Sequence, residues 1–288
     1  MTASSEHTLT LCIGCPDRVG IVARVSTFLA QHGGWILESN HHADADTQRF
    51  FMRNVIRAGS LPFGPEEFRA LFAPIAAEFC MDWRLTDSGR PPRVVLLASK
   101  ADHCLVDVLQ RWRSGDLQCD IACVIANHPE LRPYAQFHGI PFHHVPVTPG
   151  TKPAAYARIA ELCDEAGGDV MVLARFMQIL SPEFCALYPG RIINIHHSFL
   201  PSFIGASPYR QAFDRGVKLI GATCHYVTDE LDEGPIIEQD VIRIDHGDSI
   251  EDLVRYGTDI ERQVLARGLK YHLEDRVFLN GHKTVVFR

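Results

Sequence analysis

Three short, almost wholly apolar runs at 93–99, 120–126 and 169–174 constrain this chain most. Each suits a strand buried on both faces, which is the environment of a parallel sheet. Helix-like stretches at 102–113, 129–138 and 153–166 separate them, so the pattern is strand–helix alternation. Further strands are expected at 191–196, 219–227 and 235–242. A long amphipathic helix follows at 249–272, with Ile250, Leu253, Val254, Ile260, Val264 and Leu265 along one face. Asn280-Gly281, between 277–279 and 284–287, signals a hairpin. The fold class is α/β: a doubly wound, mostly parallel sheet with an antiparallel finish.

The first part of the chain reads differently. A strand at 8–15 is broken by Pro16-Asp17, and Asp17 is placed to cap a helix whose face carries Val19, Val22, Val25, Phe28 and Leu29. Strands at 35–40 and 49–56, a helix at 65–79 and a strand at 81–86 complete a βαββαβ order, an α+β ferredoxin-like unit. The polar stretch 41–47 is expected to join the two middle strands. Asp87-Ser88-Gly89-Arg90-Pro91-Pro92 is turn-rich and stiffened by two prolines. The expected domains are therefore 1–86 and 93–288, with a linker at 87–92.

Composition narrows the partners. The net charge of −7, with no block of like charges, excludes nucleic acid and membrane surfaces as expected partners. No apolar run reaches the ~18 residues of a membrane span, and the polar first residues lack the apolar core of a signal peptide. The nine cysteines are scattered. Cys80, Cys104, Cys163, Cys185 and Cys224 read as small buried hydrophobes, and Cys12 and Cys15 as residues of a strand and its exit. A reducing cytoplasm is the expected compartment. The doublets His41-His42 and His143-His144 lack companions at ligand spacing and read as surface or turn residues, so no metal is expected.

Candidate chemistry sits at 191–196. Side chains alternate along a strand, so Asn194 and His196 share one face. They also lie at the carboxyl end of a parallel strand, where open α/β sheets place their ligand crevice. An amide donor beside an imidazole suits polarising a carbonyl and holding the charge that develops on its oxygen. The same triplet taken alone reads more simply as a strand end that satisfies its own backbone groups. Downstream, 225–235 crowds four carboxylates into a turn ending in Gly234-Pro235. Leu231 marks Asp232 as the inward acid, with Asp229, Glu230 and Glu233 solvated. A carboxylate beside the Asn–His pair would complete an acid–base set for attack on a carbonyl.

The run Asn194-Ile195-His196-His197-Ser198-Phe199-Leu200-Pro201, followed by Gly205, resembles the signature of folate-dependent formyltransferases. The run from Leu231 to Ile237 resembles that family's second motif, and 173–181 resembles its folate-cradling segment. The resemblance covers about 93–288. The doubled His196-His197, the Phe176-Met177-Gln178 wording and Phe203-Ile204-Gly205 resemble the formyltetrahydrofolate deformylase branch. This implies hydrolysis of 10-formyltetrahydrofolate to formate and tetrahydrofolate, with Asn194, His196 and Asp232 as the catalytic trio. Met177, Gln178, Ile179, Leu180, His197, Ser198, Gly205, Val227, Thr228 and Leu231 are implied as substrate contacts. For Met177, Ile179 or Leu180 taken singly, core packing is the preferred reading. The folate is itself the substrate, so no separate cofactor is implied.

Residues 15–22, Cys-Pro-Asp-Arg-Val-Gly-Ile-Val, resemble the first strand-to-helix turn of ACT domains. That resemblance implies a regulatory amino-acid site at Asp17 and Gly20, with glycine or methionine as effector, and a homo-oligomer. A helix cap at Asp17 and a close-packing role for Gly20 are compatible readings. Two other functions stay open: transfer of the formyl group to an amine such as glycinamide ribonucleotide, and a non-catalytic amino-acid sensor. Against transfer, the turn Ser99-Lys100-Ala101-Asp102-His103-Cys104 has no glycine and Asp102 would repel a phosphate, while Lys100 is the one residue there suited to an anion. No G-x-G-x-x-G follows the first strand of the large domain, which argues against a dinucleotide-binding dehydrogenase.

Overall fold

The computed structural model describes residues 6–201 and 208–288. It divides into two compact units. The first runs to Pro91 and also holds Glu274–Asn280 and Val285–Arg288; the second is Pro92–Leu273 with Gly281–Thr284.

The first unit has the expected βαββαβ order: β1 (Thr8–Pro16), α1 (Ile21–Gln31), β2 (Ile36–Asp44), β3 (Arg49–Arg57), α2 (Pro65–Glu78) and β4 (Asp82–Asp87). The strands form an antiparallel sheet ordered β2-β3-β1-β4. Alternation sends Leu11, Ile13, Phe50 and Met52 into a core with Phe28, Phe68 and Phe72. The opposite face carries Cys12 and Phe51, and Phe278 from the chain's end packs there.

Several expectations are corrected here. Helix α1 begins at Ile21 after Gly20, whose φ of 98° needs no Cβ. Asp17 does not cap it; its N–H donates to the Gln48 carbonyl at 2.9 Å. Val19 is fully exposed and Val22 partly so, so the apolar face starts at Ile21. His41 and His42 belong to β2, because the edge strand continues to Asp44. Cys80 is exposed, at a turn of positive φ. The domain expected over 93–288 gives up its last apolar residues to the first unit, where Phe278 and Phe287 find a partner in Phe51.

The second unit contains β5 (Arg93–Ala98), α3 (His103–Ser114), β6 (Asp120–Ala126), α4 (Arg132–Phe137), β7 (Phe142–His144), α5 (Lys152–Glu165), β8 (Val170–Ala174), α6 (Pro182–Leu187), β9 (Ile192–His196), α7 (Pro208–Arg215), β10 (Leu219–Tyr226), β11 (Ile236–Arg243) and α8 (Ile250–Leu273). A short pair, β12 (Val277–Asn280) and β13 (Lys283–Val286), forms the expected hairpin. The large sheet is ordered β11-β10-β9-β8-β5-β6-β7. It is parallel from β7 to β9, while β10 and β11 run antiparallel. His143 and His144 lie in β7, with His144 exposed and His143 partly so, which fits the surface reading and not the turn. The chain leaves β5 in one direction through β6 and β7, then returns to β5's other side at β8. The topological switch point thus lies between β5 and β8.

Candidate active site

The pairing of β9 with antiparallel β10 builds the site. His225 stands directly opposite Asn194 in the register, so the two side chains share a face. Asn194 Nδ2 lies 3.1 Å from His225 Nε2, and His225 Nδ1 lies 2.9 Å from the Tyr226 carbonyl oxygen. A carbonyl can only accept, so Nδ1 carries the proton and Nε2 accepts from the Asn194 amide. Burial holds the His225 pKa below the ordinary histidine value, although the Tyr226 carbonyl and Asp232 act in the opposite sense. The neutral imidazole fixes which end of the Asn194 amide faces it.

Asp232 arrives from the turn between β10 and β11. That turn closes tightly: the Tyr226 N–H donates to the Pro235 carbonyl at 2.9 Å. A Cβ on Gly234 would lie only 1.7 Å from the Tyr226 oxygen, so the closure admits no side chain there. Asp232 itself has a left-handed φ of 59°. Its Oδ1 lies 3.2 Å from His196 Nδ1 and 3.8 Å from His225 Nε2. Burial opposes ionisation of Asp232, but the hydrogen bond and charge of His196, with His225 and His197 beyond, hold its pKa below the usual carboxylate value. A carboxylate accepts, so His196 Nδ1 is the donor. His196 Nε2 is buried with no hydrogen-bond partner, leaving one nitrogen uncommitted.

These groups line a cavity of about 390 Å³. Of the residues the sequence singled out, the cavity gathers Asn194, His196, His197, Asp232, Met177, Gln178, Ile179, Leu180, Val227, Thr228 and Leu231. Met177 and Ile179 are 56% and 58% exposed, so they are not core residues, whereas Leu180 packs partly into the core of the unit. The segment 177–180 is held from behind: Met177 N–H donates to Ser99 Oγ at 3.0 Å, Tyr156 Oη donates to the Ile179 carbonyl at 2.6 Å, and Ser181 caps α6. Asp229, Glu230 and Glu233 are exposed as expected, though the first two reach the cavity rim.

One expected contact is not brought together with these. Ser198 is buried away from the cavity, its carbonyl accepting from Thr223 Oγ1 at 2.9 Å. Gly205 lies outside the described residues. Asp17 and Gly20 sit in the exposed turn before α1 of the first unit.

Sequence reading missed His225, Arg175 and Glu261. Glu261, on α8 and 1% exposed, takes a hydrogen bond from Tyr209 Oη at 2.6 Å, lies 2.8 Å from His103 Nε2, and sits 3.4 Å from Arg175 Nε. Burial opposes its charge, but these partners hold its pKa below the ordinary value. His197 stacks on His196, ring centres 5.1 Å apart. Burial first, then the Arg175 charge, pushes the His197 pKa down to about 4. The doubled histidine is therefore one imidazole coupled to a carboxylate and one kept neutral. Only the partnership of His225 with Asn194 had a sequence signal, the matching inward positions of two adjacent strands.

A doubly wound domain with an Asn–His–Asp set on its cavity wall fits the family that matches it. The Formyl transferase family covers residues 92–269. The chain is 48% identical over 278 residues to the formyltetrahydrofolate deformylase of Bacillus subtilis, covering 96% of this chain and 93% of the relative. Among solved structures, a formyltetrahydrofolate deformylase from Pseudomonas syringae superposes with a TM-score of 0.98 at 60% identity, covering 100% of this chain and 96% of the other. Glycinamide ribonucleotide transformylase 1 from Symbiobacterium toebii, at 30% identity, gives 0.66 and covers 71% of this chain and 98% of its own. The chain belongs to the formyltetrahydrofolate deformylase family.

Proposed function

We propose that this chain hydrolyses 10-formyltetrahydrofolate to formate and tetrahydrofolate, with Asp232, His196 and Asn194 acting on the formyl carbonyl. The observation that carries the roles is the contact of Asp232 Oδ1 with His196 Nδ1 at 3.2 Å on the wall of the cavity. The pterin lies between 177–180 and 227–232. The Asn194 amide and protonated His196, through its uncommitted Nε2, donate to the carbonyl oxygen. Asp232 accepts a proton from water as the water oxygen bonds to the formyl carbon. The tetrahedral oxyanion is held by the two donors. Its collapse breaks the C–N10 bond, N10 takes the proton held by Asp232, and the formic acid so formed gives its own proton to solvent and leaves as formate. The folate is the one-carbon carrier and substrate, and water is the only other reactant this route uses.

Hydrolysis rather than transfer is supported by the turn after β5. Ser99 Oγ is committed to Asn127 and to the Met177 N–H, and Asp102 accepts from Tyr134 Oη, so the turn offers a phosphate no free hydroxyl and one opposing carboxylate. In the first unit, the βαββαβ order and the Gly20 turn support an ACT-like regulatory module. It would pair with a second copy of the chain and bind a small amino acid near Asp17 and Gly20.

The deciding assay measures formate release from 10-formyltetrahydrofolate in buffer, with and without glycinamide ribonucleotide, and repeats it with glycine and with methionine. Expected are release without an acceptor and a several-fold response to one amino acid, the size typical of allosteric coupling. Faster formylation of the ribonucleotide than hydrolysis would replace this reading with transfer.

A further inference from the structure

Arg175 is the first residue after β8, and Ser99 the first after β5. Their preceding residues, Ala174 and Ala98, are partners in the register. The two residues therefore stand at the carboxyl ends of the strands flanking the switch point, where doubly wound sheets bind ligands. The hydrolysis described above makes no use of this position.

Arg175 occupies it with a left-handed φ of 62°, a conformation that favours glycine. Such a backbone persists when surrounding structure holds it, and the hold here is Glu261. That carboxylate is shared among Tyr209, His103 and Arg175, with the arginine contact the longest. Arg175 Nε and Nη1 are buried and make no hydrogen bond, yet the residue lines the same cavity as Asn194 and His196. Nε faces Glu261 at 3.4 Å without a formed hydrogen bond, so the guanidinium keeps donors that match the planar fork of a carboxylate. A cation is disfavoured: although His103, Cys104 and Glu261 offer three ligand atoms within 4.8 Å of one another, the guanidinium lies against that same carboxylate.

We propose that Arg175 is a carboxylate-binding group of the site, receiving formate as it leaves Asn194 and His196. The assignment rests on the hydrolysis reading only for the identity of the anion. The neighbouring His197 is kept neutral by burial and by Arg175, so it adds no competing positive charge. Glu261 acts through Arg175 as a positioning residue.

The test is binding of ¹³C-formate to the intact protein, followed by line broadening without turnover, in the wild type, Arg175→Gly and Arg175→Lys. Glycine suits the left-handed backbone, and lysine keeps a charge beside Glu261, so the pair separates loss of binding from loss of fold. Wild type should broaden saturably. Arg175→Gly should lose about tenfold or more in affinity, the size expected for a charge-assisted hydrogen bond. Lysine should recover only part of it, because a point charge cannot form two parallel bonds. Formate product inhibition should weaken in the same order. Equal broadening in all three proteins, or none in the wild type, overturns the proposal. Failure of the hydrolysis reading would show separately, as no formate formed from 10-formyltetrahydrofolate.

Discussion

Asp232 combines two constraints that make it an informative residue to change. Its backbone is left-handed, a region that asparagine and aspartate tolerate better than most side chains. Asp232→Asn therefore keeps the turn while removing the negative charge and the proposed proton acceptor. The expected result is a fall in kcat of ~10²–10⁴-fold, the usual contribution of a general base, with folate affinity little changed. Asp229→Asn is the control, being exposed at the rim. A loss below about tenfold for Asp232→Asn would move the base to His196, whose Nε2 is uncommitted. At this scale the sequence disclosed the residues that share a strand face or a motif. It concealed Arg175 and Glu261, whose meeting joins the end of β8 to the middle of α8. No local period links residues so far apart, and a buried ion pair leaves no trace in hydrophobic patterning.

Among the elements, the turn between β10 and β11 is the most exacting. It positions Asp232 through a closure that Gly234 alone permits. Gly234→Ala should force Tyr226 and Pro235 apart, lowering thermal stability by about 2 kcal/mol or more, as is usual for backbone overlap. It should also cut kcat by ~10²-fold, since a displacement near 1 Å at a catalytic group costs that much. Unchanged kcat in a folded Gly234→Ala protein would mean that the turn does not set the position of Asp232. The strands of the large sheet were legible because burial on both faces makes them continuous apolar runs. The short β7, α6 and α7 were not, since three to eight residues carry too little periodicity. The sequence pattern starts helix α1 too early because Val19 matches the helical period, although it is fully exposed and precedes the helix.

Acid sensitivity belongs to the molecule as a whole. His197 and His225 have folded pKa values below the ordinary histidine value of 6.5, His197 at about 4. Between those values the unfolded chain binds protons that the folded chain does not. Stability is then fully present above pH 6.5 and declines as pH falls toward about 4. The depressed Asp232 adds a further loss only below its unfolded value of 3.8. Urea midpoints should thus drop between pH 7.5 and pH 5, and His197→Gln should flatten the dependence. A midpoint independent of pH over that range would contradict the assignment of neutral, buried imidazoles.

Helix α8 gives the second unit a further property. At 24 residues it is roughly 36 Å long, and it touches nearly every part that matters in that unit. Gly257 leaves room for Tyr209, Glu261 holds Arg175, Gly268 lies against Cys224 of β10, Lys270 meets Asp116 at 2.6 Å, and His272 lies 2.8 Å from Tyr226 Oη. A rod fastened at so many points cannot peel away from one of them alone. Its middle amides would exchange with solvent only when the whole unit opens, making it a single cooperative block. Scaffold and reaction centre then share one melting event, and a mutation that loosens the rod anywhere along its length is felt as lost active enzyme rather than as a slower one.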